Sequence, residues 1–109
     1  MPTLLLLAAA VTAAVPLGHH QRAGRFVVTP VQVDEDSRCP MNARCVWAGR
    51  VTVSAVVREG RQHTLRHFTL GEPAWPGIVL DSVTPDRVAG TPQRPLRYRF
   101  HFSPVTVGR

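Results

Sequence analysis

Strict alternation in residues 50–58 constrains the fold more than any other feature of this chain. Every second position is apolar, at Val51, Val53, Ala55 and Val57, and most of the residues between these positions are polar. Successive side chains of a β-strand point to opposite faces of the sheet. The segment is therefore predicted to be a strand with its apolar face on the core.

Three further segments continue this pattern and are predicted strands: residues 26–33, 62–70 and 78–83. Glu59 and Gly60 are typical of a hairpin turn, and Pro30 places the first strand at an edge or marks a bulge. Residues 84–95 contain three prolines and a glycine, which predicts a long irregular loop.

The last strand is predicted at residues 96–102, where Leu96, Tyr98, Phe100 and Phe102 alternate with charged or basic residues and supply most of the aromatic core. Five to six short strands joined mainly by hairpins predict an all-β fold, a small antiparallel sandwich or a partly open barrel.

The N-terminus has the character of an export signal. Leu4 begins an apolar run that is too short to span a membrane and ends near small residues suited to cleavage after Ala13 or Ala14. The predicted organisation is a signal peptide at 1–14, a flexible mature N-terminus at 15–24 and a single β domain at 25–109. The expected location is secreted or periplasmic, with no stable membrane span.

Cys39 and Cys45 are the chain's two cysteines. In an exported protein a lone pair favours a disulfide, and a small domain gains from such a constraint. Their spacing is not that of a redox C-x-x-C motif, and nothing nearby completes a four-ligand zinc site. Trp47 is expected to pack on the disulfide, and Gly49 to permit the bend that begins the next strand.

The segment from Asp36 to Gly49 resembles a pattern of uncharacterised small secreted bacterial β proteins: D-S-R-C-P, four residues, then C-x-W-A-G. The match is Asp36-Ser37-Arg38-Cys39-Pro40 and Cys45-Val46-Trp47-Ala48-Gly49. The resemblance extends to the segment from Ile78 to Pro85 and to the closing aromatic strand. It implies an exported β fold and no particular activity.

Two interpretations of the loop remain open. In the structural one, Asp36 pairs with Arg38 and Gly49 makes the bend, so the motif serves the fold. In the functional one, the disulfide makes a rigid recognition loop, because preorganisation lowers the entropy lost on binding. The candidate contact residues are Arg38, Pro40, Met41, Asn42, Arg44 and Trp47.

The sequence contains no recognisable motif for catalysis or for metal binding. His63 and His67 share a face of a strand at about 13 Å, too far apart for one ion. The acidic run beginning at Asp34 lacks the glycine of a calcium loop. No serine lies in a nucleophile motif, so we expect no enzyme, metal or cofactor.

The chain carries 13 basic residues and a formal net charge of +6, and all of the basic residues are arginine. A basic stripe would form if the last strand lay beside the central hairpin; its members would be Arg58, Arg61, Arg66, Arg97, Arg99 and His101. The last strand's aromatics should point inward, so no stacking platform for specific nucleic-acid binding is expected.

The leading functional hypothesis is a non-enzymatic binding module for an unknown extracytoplasmic protein or polysaccharide. The alternatives are an inhibitor of an extracellular hydrolase acting through residues 39–45, and a salt-sensitive polyanion or envelope binder acting through arginines.

Overall fold

A computed structural model describes residues 13–92 and 94–105 of the chain. Within these residues the fold is all-β, with six strands and one short 3₁₀ helix at Pro95–Arg97. The strands are β1 (Gln21–Ala23), β2 (Phe26–Asp36), β3 (Val51–Glu59), β4 (Gln62–Thr69), β5 (Ile78–Thr84) and β6 (Arg99–Pro104). The predicted fold class is confirmed, and no described helix is long and apolar enough to cross a membrane.

The strands form two antiparallel sheets. The larger has the order β1-β2-β3-β4, and the smaller pairs β5 with β6. Two-residue turns join β1 to β2 and β3 to β4, because Ala23 pairs with Phe26 and Glu59 with Gln62. Each turn begins with a glycine at positive φ, as the type II′ hairpin turn prefers.

One hydrophobic core lies between the sheets. The face of β3 predicted from alternation is buried, and Phe68 of β4 meets Phe102 of β6 edge to face with ring centroids 5.3 Å apart. The other fully or nearly buried apolar residues are Ala23, Phe26, Val28, Ile78, Leu80, Val83, Tyr98 and Phe100. Buried aromatic side chains thus pack the two sheets together, as expected from the aromatic residues of the last strand.

The register of β2 shifts between Pro30 and Gln32. Proline has no amide proton for the ladder, so it is tolerated where pairing is irregular. The predicted bulge at this proline is confirmed. The Pro30 carbonyl also accepts a hydrogen bond from the Gly18 amide, at 2.7 Å.

The N-terminal segment belongs to the β domain, which corrects the expectation that residues 15–24 form a flexible extension before it. Val15 exchanges two backbone hydrogen bonds with Phe100, at 2.8 and 2.9 Å. The Gln21 side chain is buried, and its Oε1 accepts the Phe102 amide at 2.5 Å while its Nε2 donates to the Ala13 carbonyl at 2.7 Å. The buried Gln21 side chain therefore provides the hydrogen-bond acceptor for a backbone amide of β6. The predicted export signal at 1–14 lies almost wholly outside the described residues.

The prediction for Leu96 is wrong. Leu96 lies in the 3₁₀ helix and is 83% exposed, because the strand begins only at Arg99. Pro95 stands at the start of the helix, where its fixed φ suits a helical turn. The inward alternation therefore starts at Tyr98.

Gly49 permits the close approach of two chain segments at the base of the disulfide loop, defined as residues 37–50. The amides of Ser37 and Cys39 donate to the carbonyls of Arg50 and Ala48 at 2.8 and 2.9 Å, which extends the pairing of β2 with β3. Gly49 has φ +73°, and a Cβ there would lie 1.8 Å from the Ser37 carbonyl oxygen. Glycine at position 49 therefore lets the two segments meet just before β3 begins.

We expect Gly49→Ala to lower the free energy of unfolding by about 3 kcal/mol, because a positive φ and a backbone clash both oppose the side chain. Chemical denaturation measures this change. Gly60→Ala is the matched control, since Gly60 has φ +61° with no atom within 4 Å of an added Cβ. Equal losses in the two variants would show that the close approach at Ser37 does not matter.

Candidate functional site

Asp36, the last residue of β2, and Arg38 of the disulfide loop form the most buried ion pair among the described residues. Arg38 donates from Nε to Oδ1 and from Nη2 to Oδ2 of Asp36, both at 2.9 Å. The Arg38 side chain is only 14% exposed and the Asp36 side chain only 6%. Two parallel bonds of this kind fix the guanidinium plane, so the predicted pairing of these residues is confirmed.

Arg38 also ties the disulfide loop to the second sheet. Its Nη1 donates to the Val83 carbonyl at 3.1 Å, and its Nη2 donates to the Pro85 carbonyl at 3.0 Å. Val83 lies in β5, and Pro85 begins the Pro-rich loop, defined as residues 85–98. Tyr98, at the other end of that loop, donates from Oη to Asp36 Oδ2 at 2.6 Å.

Three further hydrogen bonds hold the two loops together. Arg87 Nη1 donates to the Arg38 carbonyl at 2.9 Å, and the Met41 amide donates to the Arg87 carbonyl at 2.8 Å. The Ala89 amide donates to Asn42 Oδ1 at 2.8 Å. The disulfide loop and the Pro-rich loop therefore form one docked unit.

Electrostatics within this unit favour the ionised carboxylate and the neutral phenol. Burial alone would raise the pKa of Asp36, but hydrogen bonds from Arg38 and Tyr98 outweigh it and lower that pKa below 3.8. The hydrogen bond to Asp36 raises the pKa of Arg38 in spite of its burial. Burial, and then the hydrogen bond to Asp36, raise the pKa of Tyr98 from 10.0 to about 12.

Cys39 and Cys45 form the expected disulfide. Within the ring that it closes, the Ala43 amide donates to the Pro40 carbonyl at 3.1 Å and makes a turn. The Met41 amide and the Asn42 side chain of this turn are already hydrogen-bonded to the Pro-rich loop. A hydrolase inhibitor would present an extended loop, and this turn does not favour that conformation.

The predicted contact residues separate into two groups. Arg38 and Asn42 are engaged by the Pro-rich loop, and Pro40 is half-buried, so these three hold the loop in place. Met41, Arg44 and Trp47 are exposed. Trp47 is 78% exposed, so the expectation that it packs on the disulfide is not met.

The sequence did not predict that exposed apolar side chains lie on both the disulfide loop and the Pro-rich loop. Within residues 13–92 and 94–105, the exposed large apolar residues are Val31, Met41, Val46, Trp47, Leu65, Trp75, Val88 and Leu96. Five of these eight lie on the docked unit: three on the disulfide loop, and Val88 and Leu96 on the Pro-rich loop. The placement of Leu96 in the last strand concealed this signal.

Ser54, His67 and Asp34 meet on three neighbouring strands, although no sequence motif joins them. Ser54 Oγ donates to Asp34 Oδ2 at 2.5 Å, and His67 Nδ1 lies 3.0 Å from the same hydroxyl oxygen and 3.3 Å from the same carboxylate oxygen. A catalytic histidine uses different ring nitrogens for serine and aspartate. This arrangement does not activate the hydroxyl as a catalytic triad does.

A second cluster of the same composition lies on the smaller sheet. His101 Nδ1 is 2.6 Å from Asp81 Oδ1, and Ser103 Oγ donates to the other oxygen of that carboxylate. Among the described residues no group of three or more histidine, cysteine, aspartate or glutamate side chains is arranged to hold a metal ion.

The basic stripe expected from the sequence does not form. β6 pairs with β5 rather than with the central hairpin. Arg66 lies over the Trp75 ring at 4.4 Å from its centroid, whereas Arg58 lines a cavity elsewhere on the sheet.

The chain matches no protein-family model, no curated protein and no solved structure.

We expect Asp36→Asn to lower the free energy of unfolding by about 3 kcal/mol near neutral pH, because it leaves a buried guanidinium without its counter-charge. The pKa of Asp36 is lowered on folding, so its contribution is complete above the ordinary pKa of 3.8 and disappears as the pH falls through the folded value. The stability difference between the variant and the parent protein should therefore shrink in acid. Denaturant titrations at several pH values measure this.

Glu35→Gln is the matched control. Glu35 is adjacent in sequence and accepts hydrogen bonds from Ser37 and Arg50, but its pair with Arg50 is largely exposed. Water screens an exposed ion pair, so this variant should lose much less stability than Asp36→Asn. Similar losses in the two variants would contradict the special role of the buried pair.

Proposed function

We propose that the protein is an exported, non-enzymatic interaction module that binds a partner protein through the two docked loops. The observation that carries this proposal is the concentration of exposed apolar side chains on the disulfide and Pro-rich loops. Enrichment of exposed apolar side chains on one part of a soluble domain is typical of an interaction site.

Preorganisation supports a binding role for these loops. The disulfide, the Asp36–Arg38 pair and the hydrogen bonds of Met41 and Asn42 hold the loops before any partner arrives. Loops that are already ordered lose less conformational entropy on association. Trp47 is the expected anchor, since exposed tryptophan dominates the energy of many protein interfaces.

Charge indicates the chemistry of the partner. Arg44 is exposed on the disulfide loop and Arg97 on the Pro-rich loop, close in sequence to the exposed Val46 and Leu96. Basic residues around an apolar centre complement a recess with an acidic rim. We therefore propose a partner protein that offers an apolar recess bordered by carboxylates.

Export is part of the proposal. It is supported by the apolar run from Leu4 near the N-terminus, by the small residues Ala13 and Ala14 after it, and by the disulfide, which favours an oxidising compartment. The secreted or periplasmic location and the resemblance to small secreted bacterial proteins remain predictions.

The test uses protein recovered from outside the cytoplasm, with intact mass confirming processing near residue 14. A photocrosslinker at position 46 should capture one partner, whose affinity is then measured by titration. Trp47→Ala should weaken binding by about 30-fold, which corresponds to about 2 kcal/mol at an interface anchor.

Trp75→Ala is the matched control, because Trp75 is also exposed but lies on neither loop. It should change the affinity less than about twofold, the scale of a side chain outside the interface. Equal losses at Trp47 and Trp75 would overturn the proposal. Binding of anionic lipid vesicles in place of a protein would identify a membrane-surface role instead and would equally overturn it.

A further inference from the structure

Positive charge is arranged across the outer face of the larger sheet. Arg22 of β1 pairs in register with Val27 of β2, Val27 pairs with Arg58 of β3, and Arg58 pairs with His63 of β4. Directly paired residues point to the same face, and neighbouring strands are about 4.8 Å apart. The two arginines therefore lie on either side of Val27, with their backbones about 10 Å apart. A histidine follows the second arginine on the next strand.

A cavity of about 290 Å³ lies on this row. Its lining residues are His20, Val27, Thr29, Val56, Arg58 and His63. The polar side chains among them are two imidazoles, one guanidinium and one hydroxyl, all of which can donate hydrogen bonds. No carboxylate lines the cavity.

The charges around the cavity are not neutralised by the protein. Several basic side chains elsewhere in the domain have acidic partners: Arg25 pairs with Glu59, Arg50 with Glu35, and His101 with Asp81. The side chains of Arg22, Arg58, His20 and His63 make no hydrogen bond or ion pair with another residue in the part of the chain that the structure describes. A concave surface with uncompensated positive charge concentrates anions.

We propose that this cavity binds an oxyanion group, a phosphate or sulfate ester carried on a sugar-sized polar scaffold. Arg58 grips two oxygens of the anion, because a guanidinium matches such groups with two parallel hydrogen bonds. His63 and Thr29 donate to the remaining oxygens, and Arg22 adds charge from the neighbouring strand. Val27 and Val56 contact the less polar face of the scaffold.

This site is separate from the docked loops. Arg58 lies seven residues along β3 from Val51, the end at which the disulfide loop joins the strand. At about 3.3 Å per residue the separation is roughly 23 Å. A ligand in the cavity and a partner on the loops therefore lie towards opposite ends of β3.

The test follows histidine ring resonances by NMR while the protein is titrated with a hexose phosphate, the unphosphorylated hexose, and heparin. The resonances of His20 and His63 should shift with hexose phosphate, heparin or both, and those of His67 and His101 should not. Binding of both or of the hexose phosphate alone indicates a small ligand, and binding of heparin alone indicates a polymeric source of the same group. The unphosphorylated hexose should shift none of them.

Arg58→Gln should weaken binding of the responding probe about tenfold, the effect of losing a charge-assisted contact. Arg94→Gln removes the same charge from an exposed position on the Pro-rich loop and should change the affinity less than twofold. Equal losses in the two variants would show that only the net charge matters and would overturn the site. Absence of any shift at His63 with every probe would also overturn it.

Discussion

The carboxylate of Asp36 is almost excluded from water, and the rest of the candidate site depends on how that charge is satisfied. A buried carboxylate without partners would cost several kcal/mol. Here Arg38 supplies two hydrogen bonds and Tyr98 a third. Arg38 also donates to the carbonyls of Val83 in β5 and Pro85 in the Pro-rich loop, so the pairing that satisfies the Asp36 charge also fixes the position of the disulfide loop.

The structural and functional interpretations of the disulfide loop are complementary. Asp36, Arg38 and Gly49 serve the fold. The Asp36–Arg38 pair holds the disulfide loop against the Pro-rich loop, and Gly49 allows the backbone at Ser37 to come close. The side chains of Met41, Val46 and Trp47 have no such role and are exposed. The motif therefore combines residues that hold the loop with residues that the held loop presents, which is the arrangement expected of a binding loop on a rigid β scaffold.

Sequence reasoning succeeded where information is local. Alternation identified the buried face of β3, Gly60 marked its hairpin, and the pair of cysteines indicated the disulfide. It failed where distant segments meet. Gln21 reaches β6 across 79 residues or more, and Tyr98 reaches Asp36 across 62, so no window of sequence contains either contact. Leu96 was misassigned because alternation cannot reveal that a proline-initiated turn delays the strand.

The most direct test of this account is an alkaline titration of the chain's one tyrosine, followed by phenolate absorbance in native and denatured protein. If Tyr98 is buried and donates to an ionised Asp36, its native pKa is about 12, against 10.0 for the ordinary phenol. In Asp36→Asn the native pKa should fall but keep the part of the rise that burial causes. A native protein that titrates near 10, like the denatured chain, would contradict the buried network on which the docked loops depend.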